Sequence, residues 1–428
     1  MGRRTRGPRS SFGLTGNARV CTLLLPLFGV PFSFYFFYLS LYLREEGVGD
    51  AGFGTLMLVG SAASVLFSLV AAPLVDRMGR KRSTLLFSIA SSALPPLVFA
   101  LSGSFAFAFF AFVLTGMNKI MSVGYYLLMS EDADDRQRVT AFNLFNVVLV
   151  AAGMFVPLSS GFVDRFGLVA VERFFLWFSF VSMTALAIVR DRLVVETSVG
   201  LAVMERCRTE GAWYKGLTRP FGVASRFLLA KPLAMAAMLA NVLFYVYYIV
   251  GTNNSLYFTP YFGDALGLDT SIAATLGAVY AGANLLSMLV AYPLASRAGA
   301  VAATVGGSLL SIAGLATLGL TPRGSFTWAL VGIVVTALGY GVLKSAVDTA
   351  IVTTTEGEAR TGIYSLANLL SSVLGIGAGF LSGMLYARSP RLLYALSFGL
   401  VAAIPLCFGF ASLAGRAMGA VSRIRGRC

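Results

Sequence analysis

The stretch Pro73–Ser83, PLVDRMGRKRS, decides how this chain folds. It lies between two long apolar runs, and its pattern D-R-x-G-R-K leads directly into another hydrophobic segment. A weaker copy, PLASRAG, starts at Pro293, 220 residues later. One charged loop between membrane-length helices, echoed in the second half, marks a duplicated membrane protein.

The rest of the composition agrees. Of 428 residues, 57% are hydrophobic and 12% charged, with a mean hydropathy of +0.79. A soluble fold carries a charged fraction of about 25%. A membrane-spanning helix needs ~20 mostly apolar residues, and such runs fill the chain. Bilayer-spanning helices satisfy the backbone internally, whereas a β-barrel needs alternating apolar residues, which are missing. The expected class is therefore an all-α membrane protein.

The net charge of +14 is not a nucleic-acid footprint, because the basic residues sit in loops and near both termini, as the positive-inside rule predicts. Cys21, Cys207, Cys407 and Cys428 have no metal-ligand or redox spacing. There is no histidine, which removes imidazole catalysis and the usual physiological-pH switch. No catalytic residue, metal or cofactor is expected. The basic N-terminus before an apolar run also suggests a secretory signal. The run Val20–Leu43 is too long for that and has no small-residue cleavage site, so the first helix is expected to be retained.

Twelve spans are expected, at roughly 20–43, 51–75, 83–101, 104–129, 139–160 and 171–189, then 232–259, 271–294, 301–320, 325–352, 361–386 and 391–413. This divides the chain into a six-helix half (1–189), a hydrophilic linker (190–231) and a second six-helix half (232–428). With a cytoplasmic N-terminus, 25 of the 33 Lys and Arg fall on the cytoplasmic side and 6 on the other, with Lys119 and Lys344 inside spans. That asymmetry places both termini in the cytoplasm, with the plasma membrane as the expected location.

The halves repeat at a nearly constant offset. SFAFAFFAFVLTG from Ser104 matches SFTWALVGIVVTA from Ser325; Arg138 falls on Arg360, Asn146 on Asn368, Gly161 on Gly383 and Gly79 on Gly299. Six-helix repeats are a carrier architecture, with the substrate site at their interface near the bilayer midplane.

The chain resembles the major facilitator superfamily. That family's loop between helices 2 and 3 reads G-x-L-A-D-R-x-G-R-[RK]; here it reads A-P-L-V-D-R-M-G-R-K. Asp76, Arg77, Gly79, Arg80 and Lys81 match, and Ala72 replaces the usual glycine. The likeness covers essentially the whole chain and implies two pseudo-symmetric six-helix bundles working by alternating access. It also implies that the loop locks the halves on the cytoplasmic side when the cavity opens outward. In that gate, Asp76 faces the start of span 11 near Arg360 and Thr361, where the helix dipole favours an anion. Arg77, Arg80 and Lys81 then have Glu131, Asp132, Asp134 or Asp135 as partners, and Arg138 and Arg360 complete the gate. The bland alternative is a basic loop that only sets topology. Two departures weigh against drug–proton antiport. Span 4 has Ala111 and Phe112 where exporters often carry arginine, and AAGMFVPLSSG in span 5 keeps Pro157 and Gly161 but loses most exporter glycines.

Charge inside the hydrocarbon costs about 2.5–3.5 kcal/mol per residue on insertion scales. The sequence offers three such residues: Lys119, Lys344 and Asp348. Lys119 shares a face with Thr115, Ser122 and Tyr126 and reads as a cavity lysine attracting an anionic group, or as an ammonium satisfied by carbonyls in helix packing. Lys344 and Asp348 are four apart, with Thr336 and Tyr340 continuing their stripe. They read as an intrahelical salt bridge, or as a pair whose aspartate couples protons. On span 7, Asn241, Tyr245, Tyr248 and Thr252 share a face; on span 1, Tyr35, Tyr38 and Tyr42 do. Such aromatic walls suit small organic ligands, although tyrosines also serve packing and interfaces. Asn146 and Asn368 read as substrate contacts or as interhelical glue. The linker, with Trp213 and Tyr214, reads as a helix on the inner leaflet or as a disordered tether.

The expected function is secondary active or facilitative transport of a small organic solute, leaning to an anionic metabolite. The alternatives are a proton-coupled multidrug or sugar transporter of the same fold, and a non-transporting receptor. A membrane enzyme has no support in the motifs. Expected partners are the solute, the bilayer and, for coupling, protons; the expected state is a monomer without nucleic acid.

Overall fold

The computed structural model describes residues 13–210, 219–250, 256–355 and 357–425. Among these residues there are twelve helices long and apolar enough to cross a membrane and no strand. They form two pseudo-symmetric six-helix bundles.

In the first bundle the spans are Gly16–Glu45 (span 1), Asp50–Met78 (span 2), Arg80–Leu101 (span 3), Phe105–Ser130 (span 4), Asp135 to Phe166 with a break (span 5) and Leu168–Leu193 (span 6). In the second they are Pro232–Val250 (span 7), Thr270–Ala298 (span 8), Ala300–Leu320 (span 9), Phe326–Thr354 (span 10), Gly357–Arg388 (span 11) and Pro390–Arg425 (span 12). Of the expected span 232–259, Pro232–Val250 is described as helix, 251–255 lie outside the described residues, and a short helix runs over Phe258–Asp264. The linker is partly helical, over Ser198–Glu210 and Arg219–Ala230. Trp213, Tyr214 and Thr252 lie outside the described residues.

Several spans break where proline removes a backbone donor. A 3₁₀ turn, Gly153–Phe155, precedes Pro157 in span 5, and π-type segments precede Pro95 in span 3 and Pro293 in span 8. Spans 2 and 3 are separated by one residue, Gly79, at φ 87°; its repeat mate Gly299, between spans 8 and 9, sits at φ 96°. That region is open to glycine and strained for other residues, which explains why the repeat keeps glycine in both loops.

The bundles meet most closely where span 2 crosses span 11. A Cβ built on Gly54 would stand 2.9 Å from the Gly383 Cα, and one built on Gly383 would stand 2.6 Å from the Gly54 Cα. Small residues let membrane helices approach to backbone contact. This crossing lies in the halves of both helices remote from Gly79. At the same end Phe37 packs on Phe258, ring centroids 6.5 Å apart, and the Thr259 hydroxyl donates to the Phe37 carbonyl at 2.8 Å.

Candidate functional site

Three polar clusters stand along the molecule: one in the middle, one at the end remote from Gly79 and one around Gly79.

The middle cluster is built by spans 4, 7 and 10. One helical turn places Lys344 Nζ 2.9 Å from Asp348 Oδ2. Asn241, on span 7, donates to Asp348 Oδ1 at 3.4 Å. Tyr245 and Tyr248 follow Asn241 on the same face, with ring centroids 6.3 Å apart. From the other bundle, Tyr126 comes within electrostatic reach of Lys344, Asp348 and Tyr248. Tyr126, Tyr248 and the Asp348 side chain are each 39% exposed, so solvent reaches this depth. Residues far apart in sequence thus converge on one accessible space between the bundles.

Lys119 stands seven residues before Tyr126 on the same helix face, about 10 Å along the axis at 1.5 Å per residue. It is half-buried and, among the described residues, makes no ion pair or hydrogen bond. Its neighbours on the stripe spend their hydroxyls locally: Thr115 donates to the Ala111 carbonyl at 2.9 Å and Ser122 to Asn118 Oδ1 at 3.0 Å. The helix breaks at Met117, two residues before Lys119.

Other tyrosines singled out by the sequence do not face this space. Tyr340 is 4% exposed and sits among Phe244, Tyr247 and Tyr280 in the core of the second bundle. Tyr35 and Tyr38 are also buried, and the Tyr38 hydroxyl accepts from Ser159 Oγ at 3.3 Å. Tyr42 donates to the Phe99 carbonyl at 2.9 Å. The acid within electrostatic reach of all three is Glu172 on span 6. This corrects the inventory of intramembrane charge. Glu172 is fully buried, and both its carboxyl oxygens lack a hydrogen-bond partner among the described residues. A single acid near a helix start reads as a rim residue; only the packing of span 1 over it reveals otherwise. Arg190, on the same span, is a second omission: it is 5% exposed and donates to Ser88 Oγ at 2.5 Å.

At the end remote from Gly79, Arg44 bridges the bundles. It reaches Asp50 Oδ1 at 2.6 Å and Asp264 Oδ2 at 2.7 Å. Tyr386 donates to Asp264 Oδ2 at 2.8 Å, and Tyr257 donates to the Asp50 carbonyl at 3.2 Å. Arg44, in the last turn of span 1, and Asp264, at the end of the short helix Phe258–Asp264, stand at an offset of 220, the period of the repeat. A shallow depression lined by Arg44, Asp50, Asp264 and Tyr386 lies over this cluster. Just inside the first bundle, Arg173 pairs with Glu46 at 2.9 Å. None of these pairings was read from the sequence, where the charges looked like ordinary loop residues.

At the Gly79 end, Arg80 is 3% exposed and donates to Asp76 Oδ1 at 2.9 Å and Glu131 Oε1 at 3.2 Å. Glu196, from the linker, accepts the Arg80 and Lys81 backbone N–H groups at 2.9 Å each, capping span 3. Thr197 donates to Glu131, and Ser198 Oγ to Asp132 Oδ1 at 2.8 Å. A Cβ on Gly79 would meet the Glu196 carboxylate at 2.6 Å. The loop is thus fastened to its own bundle and to the linker. Asp76 turns to Arg80; Arg77 is exposed, and neither it nor Lys81 forms an ion pair among the described residues. The side chains of Asp135, Arg138, Asn146, Arg360 and Thr361 lie outside the described residues, and Asn368 is exposed. Asp134 caps span 5 by accepting the Gln137 N–H at 2.8 Å.

The Major Facilitator Superfamily model matches residues 23–380, and the chain belongs to that superfamily. It is a transporter of the solute-carrier type, integral to a membrane and crossing it many times. A mutant of the nucleoside transporter NupG superposes with a TM-score of 0.68 at 13% identity, covering 92% of this chain and 100% of that one. A bacterial homolog of the human lysosomal transporter Spinster, inward-facing and unoccupied, gives 0.62 at 17% identity over 92% and 94%. A POT family transporter in complex with 5-aminolevulinic acid gives 0.66 at 14% identity over 94% and 96%. These likenesses are of fold. A comparison with curated protein sequences returns no match.

Proposed function

We propose that this protein moves a small organic anion across the plasma membrane by alternating access, with the substrate held between Lys119 and the Lys344–Asp348 pair. One observation carries the reading. Of the two lysines in the middle of the membrane, Lys344 has a counter-ion at 2.9 Å, while Lys119 forms no ion pair among the described residues. An unpaired ammonium at this depth is costly, and an incoming carboxylate or phosphate compensates it. Tyr126, Tyr245 and Tyr248 supply amphipathic walls, and Asn241 orients Asp348.

The halves, 1–189 and 232–428, rock about this site, with 190–231 as a linker on the inner leaflet. Charge asymmetry makes the Gly79 side cytoplasmic, with both termini there. The Arg44 seal then closes the outer side, and the conformation described is inward-facing. Asp76, Arg77, Gly79, Arg80, Lys81, Arg138 and Arg360 form the gate of the opposite state, and the protein works as a monomer. Asp348 is proposed as a proton-coupling carboxylate: flux flat with pH and unaffected by Asp348→Asn removes that role.

A thermal-shift screen of purified protein against organic anions, neutral sugars and hydrophobic cations, with Lys119→Ala alongside, tests the reading. A ligand at 100 times its Kd stabilises by about 2.7 kcal/mol. Anions should stabilise the native protein and not the variant. If only neutral or cationic compounds act, and on both proteins equally, the anion reading fails and the sugar or drug alternatives take its place. Counterflow of the stabilising compound in proteoliposomes separates a carrier from a receptor.

A further inference from the structure

Glu172 is the acid that the proposed site does not use. It lies four residues into span 6, about 6 Å from the start of that helix at 1.5 Å per residue, and it has no exposed surface. Tyr35, Tyr38 and Tyr42 of span 1 lie within electrostatic reach of it. Span 5 contributes Asp164, which is also within electrostatic reach of Tyr38, and Arg165, which lies over the Phe166 ring. The Leu94–Leu101 segment of span 3 has no titratable group. On its own helix, Arg173 turns to Glu46, and Arg190 is eighteen residues away. No cation reaches Glu172, and neither oxygen has a partner among the described residues. An isolated carboxylate in such surroundings neutralises rather than stay charged.

The wall that covers Glu172 is also the helix that holds the outer seal. Span 1 carries Tyr35, Tyr38 and Tyr42 within reach of Glu172, while Phe37 and Arg44 of the same helix contact Phe258, Thr259 and Asp264 of the other bundle. Parting the seal frees span 1 from the second bundle, a short distance from outer water.

We propose that Glu172 is a proton-binding site of this carrier, loaded when the outer seal is closed and emptied to the outer side when the seal opens. The carboxyl O–H bond breaks heterolytically: the electron pair stays on the carboxylate, the proton passes to water, and entering water solvates the anion left behind. The inference deepens the proposed function by adding a proton site in the first bundle, separate from Asp348. It rests on the carrier reading but not on the anionic substrate or on Lys119.

Infrared spectroscopy of the purified protein across a pH series tests it without any substrate. The carbonyl band of a protonated carboxylic acid should be present at neutral pH and absent in Glu172→Gln. In Arg44→Ala, which breaks the seal, the band should disappear at a pH lower by about one unit, a tenfold change in proton affinity. Should the glutamine variant fail to fold, Glu172→Asp must move the band rather than delete it. A neutral-pH spectrum without a Glu172-dependent band overturns the proposal. So does a band that titrates identically with the seal intact and broken, since that is a structural acid. Neither outcome touches the thermal-shift result for anions, so the two readings fail separately.

Discussion

Each end of the molecule is organised by one arginine holding two carboxylates, but the carboxylates come from different places. Arg44 takes Asp50 from its own bundle and Asp264 from the other. Arg80 takes Asp76 and Glu131, both from its own bundle, while the linker residue Glu196 caps the backbone beside it. Rocking the bundles apart therefore breaks the Arg44 cluster and leaves the Arg80 cluster whole. Burial follows the same division: the Arg44 side chain is 26% exposed and that of Arg80 4%. In the conformation described, the same chemistry crosses between the bundles at Arg44 and stays within one bundle and its linker at Arg80.

The largest effect is expected at the clamp. Arg80→Ala leaves two carboxylates facing each other, and breaking a buried pair costs about 3–5 kcal/mol. The thermal unfolding temperature of the purified protein should fall further than for Arg44→Ala; an equal or smaller fall removes the distinction between clamp and gate.

Gly383→Ala attacks the gate sterically. Its Cβ would meet the Gly54 backbone, and relieving such overpacking costs about 1–3 kcal/mol, which should pry span 2 from span 11. Spin labels on Ala51 and Ala387, in a background without native cysteines, should show a longer outer-side distance. An unchanged distance distribution means that the crossing is not what holds the outer side shut.

Asp264→Asn removes one of the two charges that Arg44 bridges, a partly exposed contact worth up to ~1 kcal/mol. The same labels should report a several-fold larger population open at the Arg44 end with little change in unfolding temperature. If the unfolding temperature drops and the distances stay fixed, Arg44 is a clamp as well.

The smallest effect should come from Glu196→Gln, which weakens a helix cap. Losing the charge costs about 0.3–1 kcal/mol and should loosen the linker without changing outer-side distances. Hydrogen exchange at the Arg80 and Lys81 amides, faster in the variant, checks this; unchanged exchange shows that the cap is held by other contacts.

How much of this was legible beforehand differs from cluster to cluster. Lys344 and Asp348 are one turn apart, so their pairing follows from the helix repeat. Glu131 is likewise legible as an Arg80 partner, since span 4 must return next to span 3. Helix spacing sets Tyr35, Tyr38 and Tyr340 in polar stripes, but a stripe does not say whether it meets a cavity or a neighbouring helix; all three are buried. Glu196, Asp264 and Glu172 gave no signal, because each acquires its role from a segment more than 100 residues away.

The sequence by itself determined the membrane class, the twelve spans, the repeat and the position of the charged loop. These follow from hydrocarbon thickness and from the need to satisfy every backbone group within a helix, both local constraints. Tertiary structure alone decided which carboxylate each arginine holds, which end is shut and which acid is cut off from water. Those depend on how helices with no sequence proximity approach one another, and a charge is silent about its partner until packing sets the distance and removes the solvent.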